Sequence, residues 1–250
     1  MRNEEGKAGG KKQLRPNVIY ENSHFLVIDK PSGWVVNESV TVRGNPTIQN
    51  WLKINFNYPL SDDDKLRNGI VHRLDKETSG VLIVAKTRKV FDYLQGLFKE
   101  RKVKKVYIAL VHGKIEVNEG VIEAEVGRLS WNRKRFGVIP GGRYSKTGYE
   151  VQKIYKLGSD FYTLVKFFPE TGRTHQIRIH AKHFGHPIVS DEFYAGRKTS
   201  RADRKWCPRL FLHAESISFN FSDGNYYKFD SKLPKELSSV INLENITSSN

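Results

Sequence analysis

Cysteine is nearly absent, with Cys207 alone in 250 residues. That excludes an intramolecular disulfide and a cysteine-rich zinc site, and it fits a reducing compartment. Long apolar runs are also missing. No stretch approaches the ~18 consecutive apolar residues of a membrane span, and the N-terminus lacks the apolar centre of a secretory signal. A cytoplasmic protein with no membrane partner is therefore expected. Acidic residues are scarce: 27 Asp plus Glu face 42 Lys plus Arg, a formal net charge of +15. With a pI near 9.8, the balance points to a polyanionic partner (RNA, DNA or an acidic membrane surface), although a charge run is as often a solvated face. No internal repeat or Pro/Gly/Ser-rich linker divides the chain, which favours one domain. What is present suffices for a core, since 38% hydrophobic and 12% aromatic residues exclude intrinsic disorder.

The ends are polar. Residues 1–16 set Arg2, Lys7, Lys11, Lys12 and Arg15 against Glu4 and Glu5, and read as a disordered basic arm or an unstructured remnant. Residues 241–250 read as a polar tail, leaving one domain over 17–240. Within it, strand-like runs dominate: "NVIYENSHFLVIDKP", "GVLIVAKT", "VKKVYIALVHG", "GYEVQKIYKLG", "FYTLVKFFP" and "RLFLHAESISF". Three helices are predicted. Thr47 is placed to cap "IQNWLKINF", and Thr87 to cap "RKVFDYLQGLFKERK", whose Val90, Tyr93, Leu94, Leu97 and Phe98 form a buried stripe. In "RTHQIRIHAKHFG", Ile177, Ala181 and Phe184 make the inner face, Gly185 the stop, and His175, Arg178 and Lys182 the unburied side. Strands and helices without regular alternation predict an α+β fold with a mixed, largely antiparallel sheet flanked by helices.

The chemistry starts at "IVHRLDKETSG", residues 70–80. A carboxylate among cations stays ionised at neutral pH, making Asp75 a poor general acid but an available nucleophile. Locally the simpler alternative is that Asp75 caps the Thr-Ser-Gly turn with its side chain. In "KKVYIALVHG", alternation puts Lys105, Tyr107 and Ala109 on one face and the core residues Val106, Ile108 and Leu110 on the other. A tyrosine ring beside a cation suits a stacked base with a nearby phosphate, though tyrosine is also simply common in strands. The histidines 175, 180, 183 and 186 have no HExxH-type spacing and are interleaved with cations, so no metal is expected. Arg178 is better used to hold a carboxylate.

"HRLDKETSG" resembles the catalytic motif of the RluA-type pseudouridine synthases, His-Arg-Leu-Asp-x-x-Thr-Ser-Gly. "VIYENSHFLVIDKPSGWVV", "KVKKVYIALVHG", "TGRTHQIRIHAKHFGHPIVSDEFYAG" and "RLFLHA" resemble the family's other blocks, in the same order over residues 18–214. The histidine before Arg73 favours this branch over the small-subunit branch, which typically has glycine there. The resemblance implies a catalytic domain cleft by its active site, acting on RNA (ribosomal or transfer) without metal or organic cofactor; a monomer is expected. It implies that Asp75 attacks the target uridine, that the N1–C1′ bond breaks, and that the uracil is rejoined through C5. Tyr107 matches the stacking tyrosine, thought to assist removal of the C5 proton. Arg178 matches the aspartate's basic partner, with Arg173 as second choice, and Arg73 the arginine that fills the gap left by the flipped uridine. His72, Lys105, His175 and Lys182 are placed with Arg73 and Arg173 in RNA contact, and Leu212 and Thr78 around the base.

Some features depart from the family's pattern. Residues 1–17 are too few for the S4-type RNA-binding domain of many relatives, and "VVNES" replaces the usual His-Pro ending of the first block. The segment "RKTSRADRKWCPRLF", with Arg201, Arg204, Lys205 and Trp206, and "WNRKR" at 131–135 are candidate backbone-gripping elements, or else solvated charge. Two rival classes remain: an inactive RNA-binding protein, which would have lost Asp75, Tyr107 or Arg178, and a metal-dependent nuclease using the histidines.

Overall fold

The computed structural model describes residues 15–38, 46–130, 132–242 and 246–249. Most of the basic arm (residues 1–14) and Trp131 of "WNRKR" lie outside the described residues, and the side chains of Arg133 and Lys134 are not described either. The first strands are β1 (Asn17–Glu21), β2 (Phe25–Lys30), β3 (Ser79–Ala85) and β4 (Lys104–His112). Then come β5 (Glu119–Leu129), β6 (Asn132–Val138), β7 (Arg143–Leu157) and β8 (Asp160–Pro169). The last are β9 (Leu212–Asn220), β10 (Tyr226–Asp230) and β11 (Ile246–Ser249). All join one sheet, in the order β1-β2-β3-β9-β4-β8-β7-β5-β6, with β10 beside β9 and β11 beside β7. Every pairing is antiparallel except β3 with β9, which runs parallel at Ser79–His213 and Gly80–Ala214. The fold is α+β with a mixed, mostly antiparallel sheet, as expected, and each of the six strand-like runs supplies strands.

The predicted helices form where caps and stripes put them. Helix α1 (Ile48–Asn55) starts at Thr47, whose Oγ1 accepts the Asn50 N–H at 3.1 Å. Helix α2 (Arg88–Lys99) starts at Thr87, whose Oγ1 accepts the Val90 N–H at 3.4 Å. Val90, Phe91, Leu94 and Leu97 of α2 are buried, each contributing ~1.5–3 kcal/mol by leaving water. Helix α3 (Gln176–His183) ends before Gly185, whose φ of +88° suits the left-handed stop position. Two short helices escaped the sequence reading: α4 (Arg197–Asp203), within the basic segment, and α5 (Lys235–Ile241). Both are too short for a clear apolar period.

Two large apolar cores result, beside a small cluster of Val126, Ile179 and Tyr194. One gathers β1–β3, α1, α2 and the aromatic cluster of Phe25, Phe219, Phe221 and Phe229; the other gathers β4, β8, α3 and α5. Tyr107, half-buried on β4, packs against both, so it sits on the seam between them. The one-faced pattern read from β4 is too simple. Ala109 is as buried as Ile108 and Leu110, because side chains on both faces of β4 pack into a core.

The chain enters β3 through residues 71–78, and this loop is pinned from below. Gly33 N–H donates to Lys76 O at 2.8 Å and Ser32 Oγ donates to Glu77 O at 2.8 Å. At the loop's end Gly80 has φ +119°, and a Cβ there would lie 2.2 Å from Ala214 O, so the parallel β3–β9 contact needs glycine. Gly80→Ala is expected to cost at least about 2 kcal/mol by urea unfolding. An unchanged midpoint would show that the backbone relaxes freely there.

Candidate active site

The loop 71–78, strand β4 and the segment 169–178 wall a cleft of about 550 Å³. Asp75 stands in its lining, with 17% of its side chain exposed. The Thr78 N–H bonds the backbone carbonyl of Asp75 at 3.2 Å, so the turn closes on the main chain. The carboxylate is used elsewhere. Arg178 Nη1 donates to Asp75 Oδ2 at 3.4 Å, and His175 Nε2 lies 3.8 Å from Oδ1.

Arg178 is itself held from behind. Its Nε and Nη2 donate to the two oxygens of Asp191 at 2.7 and 2.8 Å, a bidentate fork. Asp191 is fully buried and also accepts the N–H groups of Phe193 and Tyr194 at 3.0 and 3.1 Å. The guanidinium lies 5.4 Å from the Phe193 ring centre and 5.1 Å from that of Tyr194. Burial opposes its charge, but the Asp191 bonds outweigh that, and Arg178 is pushed above its ordinary value. The expectation of an unburied helix face at Arg178 is corrected here, since only 4% of the side chain is exposed. Helix α3 packs on β5–β8, and residues 191–194 cover its other side.

The loop before α3 has unusual support. His175 occupies the cap position with φ +56° and no side-chain cap bond. Gln176 compensates: its Oε1 accepts from Thr171 Oγ1 at 2.7 Å and Arg173 N–H at 3.0 Å, while Nε2 donates to Lys146 O and Thr147 Oγ1. His175 Nδ1 bonds the Tyr194 hydroxyl at 2.9 Å. Burial, against the pull of Asp75, lowers the His175 pKa.

Ten of the residues singled out in the sequence line this one cleft: Asp75, Tyr107, Arg178, Arg73, His72, Lys105, Arg173, His175, Thr78 and Leu212. Their states differ from a simple cationic groove. His72 Nε2 accepts the Ile83 N–H at 3.0 Å and its ring stacks on Phe98, and burial first, then the Lys105 charge, pull it down to about 3. It is an uncharged wall. Burial and the Asp75 charge push the Tyr107 phenol well above its usual range, so it is neutral. Lys182, Arg201, Arg204 and Lys205 do not line the cleft. Arg204 pairs with Glu77 at 2.9 Å, Arg209 is buried against Glu236 and Ser79, and Trp206 turns inward, edge-on to Tyr162. Trp206 is thus part of a core rather than a stacking platform. The histidines go separate ways: His180 to Ser145 Oγ, His186 to His112 O.

Sequence reading missed several residues. Asp191 lies in "IVSDEFYAG" with nothing local to mark it. Lys30 is fully buried and donates to the carbonyls of Pro31, Trp34 and Lys76 at 2.9, 2.9 and 3.2 Å, tying β2 to the Asp75 loop. Burial draws its pKa to about 7, with the Asp75 charge opposing. Arg67, Lys99 and Arg101 also reach the cleft lining.

The profile of the family described as RNA pseudouridylate synthase matches residues 24–183. "Ribosomal large subunit pseudouridine synthase D" of Borreliella burgdorferi is 37% identical over 244 residues, 93% of this chain and 70% of that one. The protein of the same name from Pseudomonas aeruginosa is 34% identical over 236 residues, 90% of this chain and 71% of that one. Among solved structures, "Human RNA Pseudouridylate Synthase Domain Containing 1" superposes with a TM-score of 0.73 at 27% identity, over 94% of this chain and 89% of that one.

The pairing makes an ordered stability prediction. Asp191→Asn strips a buried guanidinium of its counter-charge and is expected to cost about 3–5 kcal/mol. Asp75→Asn leaves Arg178 paired and is expected to cost under about 1 kcal/mol. Urea unfolding of both variants checks this, and the reverse order would mean that Asp75, not Asp191, holds the arginine.

Proposed function

The chain belongs to the RNA pseudouridylate synthase family and is an RNA pseudouridine synthase, and from that premise we propose that it isomerises uridines of ribosomal RNA with Asp75 as nucleophile. One observation carries the site assignment: a partly exposed carboxylate touched by an arginine whose other edge is locked to a buried aspartate. The arginine is oriented by Asp191 and touches Asp75 at 3.4 Å, longer than the usual 2.7–2.9 Å of a charge-assisted bond. Asp75 therefore keeps its charge partner without being tied up, which suits attack on a substrate carbon.

The remaining roles follow from position. An extruded nucleotide costs a few kcal/mol of unstacking. Arg73, exposed in the cleft lining, fills the place it vacates. The base lies between Tyr107 and Leu212, with Thr78 beside it. With Asp75 bonded to the sugar or base, the N1–C1′ bond breaks, the uracil turns, C5 bonds C1′ in place of N1 and the Asp75 carboxylate is released. C5 loses its proton and N1 ends protonated, so the reaction needs no co-reactant. A phenol held neutral is a weak base, so Tyr107 is assigned to stacking, with proton removal secondary. Lys105, Arg173 and His175 hold the flanking phosphates and ribose, with Lys182, Arg201 and Lys205 as outer contacts. The relatives' names specify the large ribosomal subunit, which favours ribosomal over transfer RNA. Residues 17–240 are taken as the catalytic domain.

Asp75→Asn is expected to abolish pseudouridine formation, read by carbodiimide labelling of ribosomal RNA, while leaving RNA binding within about twofold. Retained isomerisation would sink the nucleophile assignment. A second expectation concerns pH. Burial lowers the Lys105 ammonium to about 8, so it is cationic below that pH and neutral above. RNA affinity should weaken as pH rises through about 8, and Lys105→Arg should flatten that loss. An equal decline in Lys105→Arg would assign it to another group.

A further inference from the structure

We propose that Arg67, Lys99 and Arg101 form a phosphate-gripping rim that holds the RNA strand beside the target nucleotide, an inference that rests on the isomerase reading above. All three line the cleft, yet they come from elements other than those that carry Asp75 and Arg178. Arg67 belongs to the 3-10 turn Asp64–Gly69, while Lys99 and Arg101 lie at the end of α2.

Backbone conformation is the first support. Arg67 and Arg101 have φ of +53° and +60°, in the left-handed region where glycine or asparagine is easier. Of the five non-glycine residues with positive φ among the described residues, Arg67, Arg101 and His175 line this cleft. Strain of this kind gathers where a side chain must be presented to a ligand. At Arg67 the conformation is enforced from both sides. Asn68 is buried, its carbonyl bonded by the Tyr58 hydroxyl at 2.8 Å and its amide by Ser61 O. Gly69 presses so closely on Ala85 O that a Cβ would meet it at 2.0 Å. With Asn68 turned inward, Arg67 is left exposed. Arg101 closes α2: its N–H bonds Phe98 O at 3.3 Å and the Lys102 N–H bonds Leu97 O at 2.9 Å. That is the helix-end position where glycine is the usual choice.

Charge is the second support. Among the described residues, no carboxylate or carbonyl accepts a hydrogen bond from the side chains of Arg67, Lys99 or Arg101, and Lys99 meets Glu100 only through space. The neighbouring acid, Glu100, is paired with Lys102 at 2.6 Å. Arg204 and Arg209, in the segment first suspected of gripping RNA, are by contrast spent on Glu77 and Glu236. Uncommitted cations at a cleft mouth fit phosphate oxygens, which set register and orientation without reading sequence.

The test uses the full chain with Arg67→Gly and Arg101→Gly, which remove the cation and relieve the backbone. The probe is deproteinised large-subunit ribosomal RNA, in equilibrium binding across a salt series. Each variant is expected to bind about three- to tenfold more weakly at about 100 mM salt, with the log–log salt slope shallower by about 0.9. Melting temperatures should hold or rise. Unchanged affinity and slope would overturn the rim, and so would weaker binding accompanied by a lower melting temperature, because the arginines would then be packing elements. Carbodiimide mapping of the same RNA after treatment with the unaltered protein separates the two readings. No pseudouridine there sinks the isomerase reading, whereas pseudouridine with unchanged binding in both variants sinks only the rim.

Discussion

The fork between Arg178 and Asp191 governs the rest of the site. A buried guanidinium without a partner is very costly, and Asp191 removes that cost with two bonds at 2.7 and 2.8 Å. It also fixes the plane of the guanidinium, so the one remaining edge points at Asp75. Because the positive charge is already compensated, Asp75 can stay loosely held at 3.4 Å and partly open to the cleft. Phe193 and Tyr194 close the other side of the guanidinium, and Tyr194 in turn holds His175.

The loop that carries Asp75 is equally constrained from beneath. Lys30, Gly33 and Ser32 bind its carbonyls, Gly80 fits only because it has no Cβ, and Ser79 is held by Arg209 and His213. A carboxylate placed on a loop thus gains the rigidity of the sheet it enters. The cations around it divide into two kinds. Arg204 and Arg209 are paired with Glu77 and Glu236, whereas Arg67, Arg73 and Arg101 are exposed without an ion pair among the described residues. Net charge alone could not separate them.

Much of the fold was legible because its signals are local. Thr47 and Thr87 cap helices through bonds to N–H groups three residues on, and α2's stripe follows the helical period. The six apolar runs became strands for the same reason. The reading failed where both faces of an element are covered. Ala109 on β4 and Arg178 on α3 looked outward by periodicity and are buried, since periodicity marks the most apolar face and not the number of covered faces. It also failed for α4 and α5, which are too short to show a period. Trp206 looked available inside a basic segment, but α4 and the following turn carry it against Tyr162.

By itself the sequence determined the basic character of the chain, the α+β class and, through ordered motifs, the family, and it singled out Asp75, Tyr107 and Arg178. These are properties of composition, short-range period and residue type. Only the tertiary structure decided that Asp191 holds Arg178, that Lys30 anchors the Asp75 loop, that His72 is an uncharged wall and that Arg67 and Arg101 reach the same cleft. Each depends on groups brought together across long stretches of chain, 103 residues in the case of Arg178 and Asp75. Burial then sets their charge and hydrogen bonding, and no local pattern of residues encodes burial of that kind.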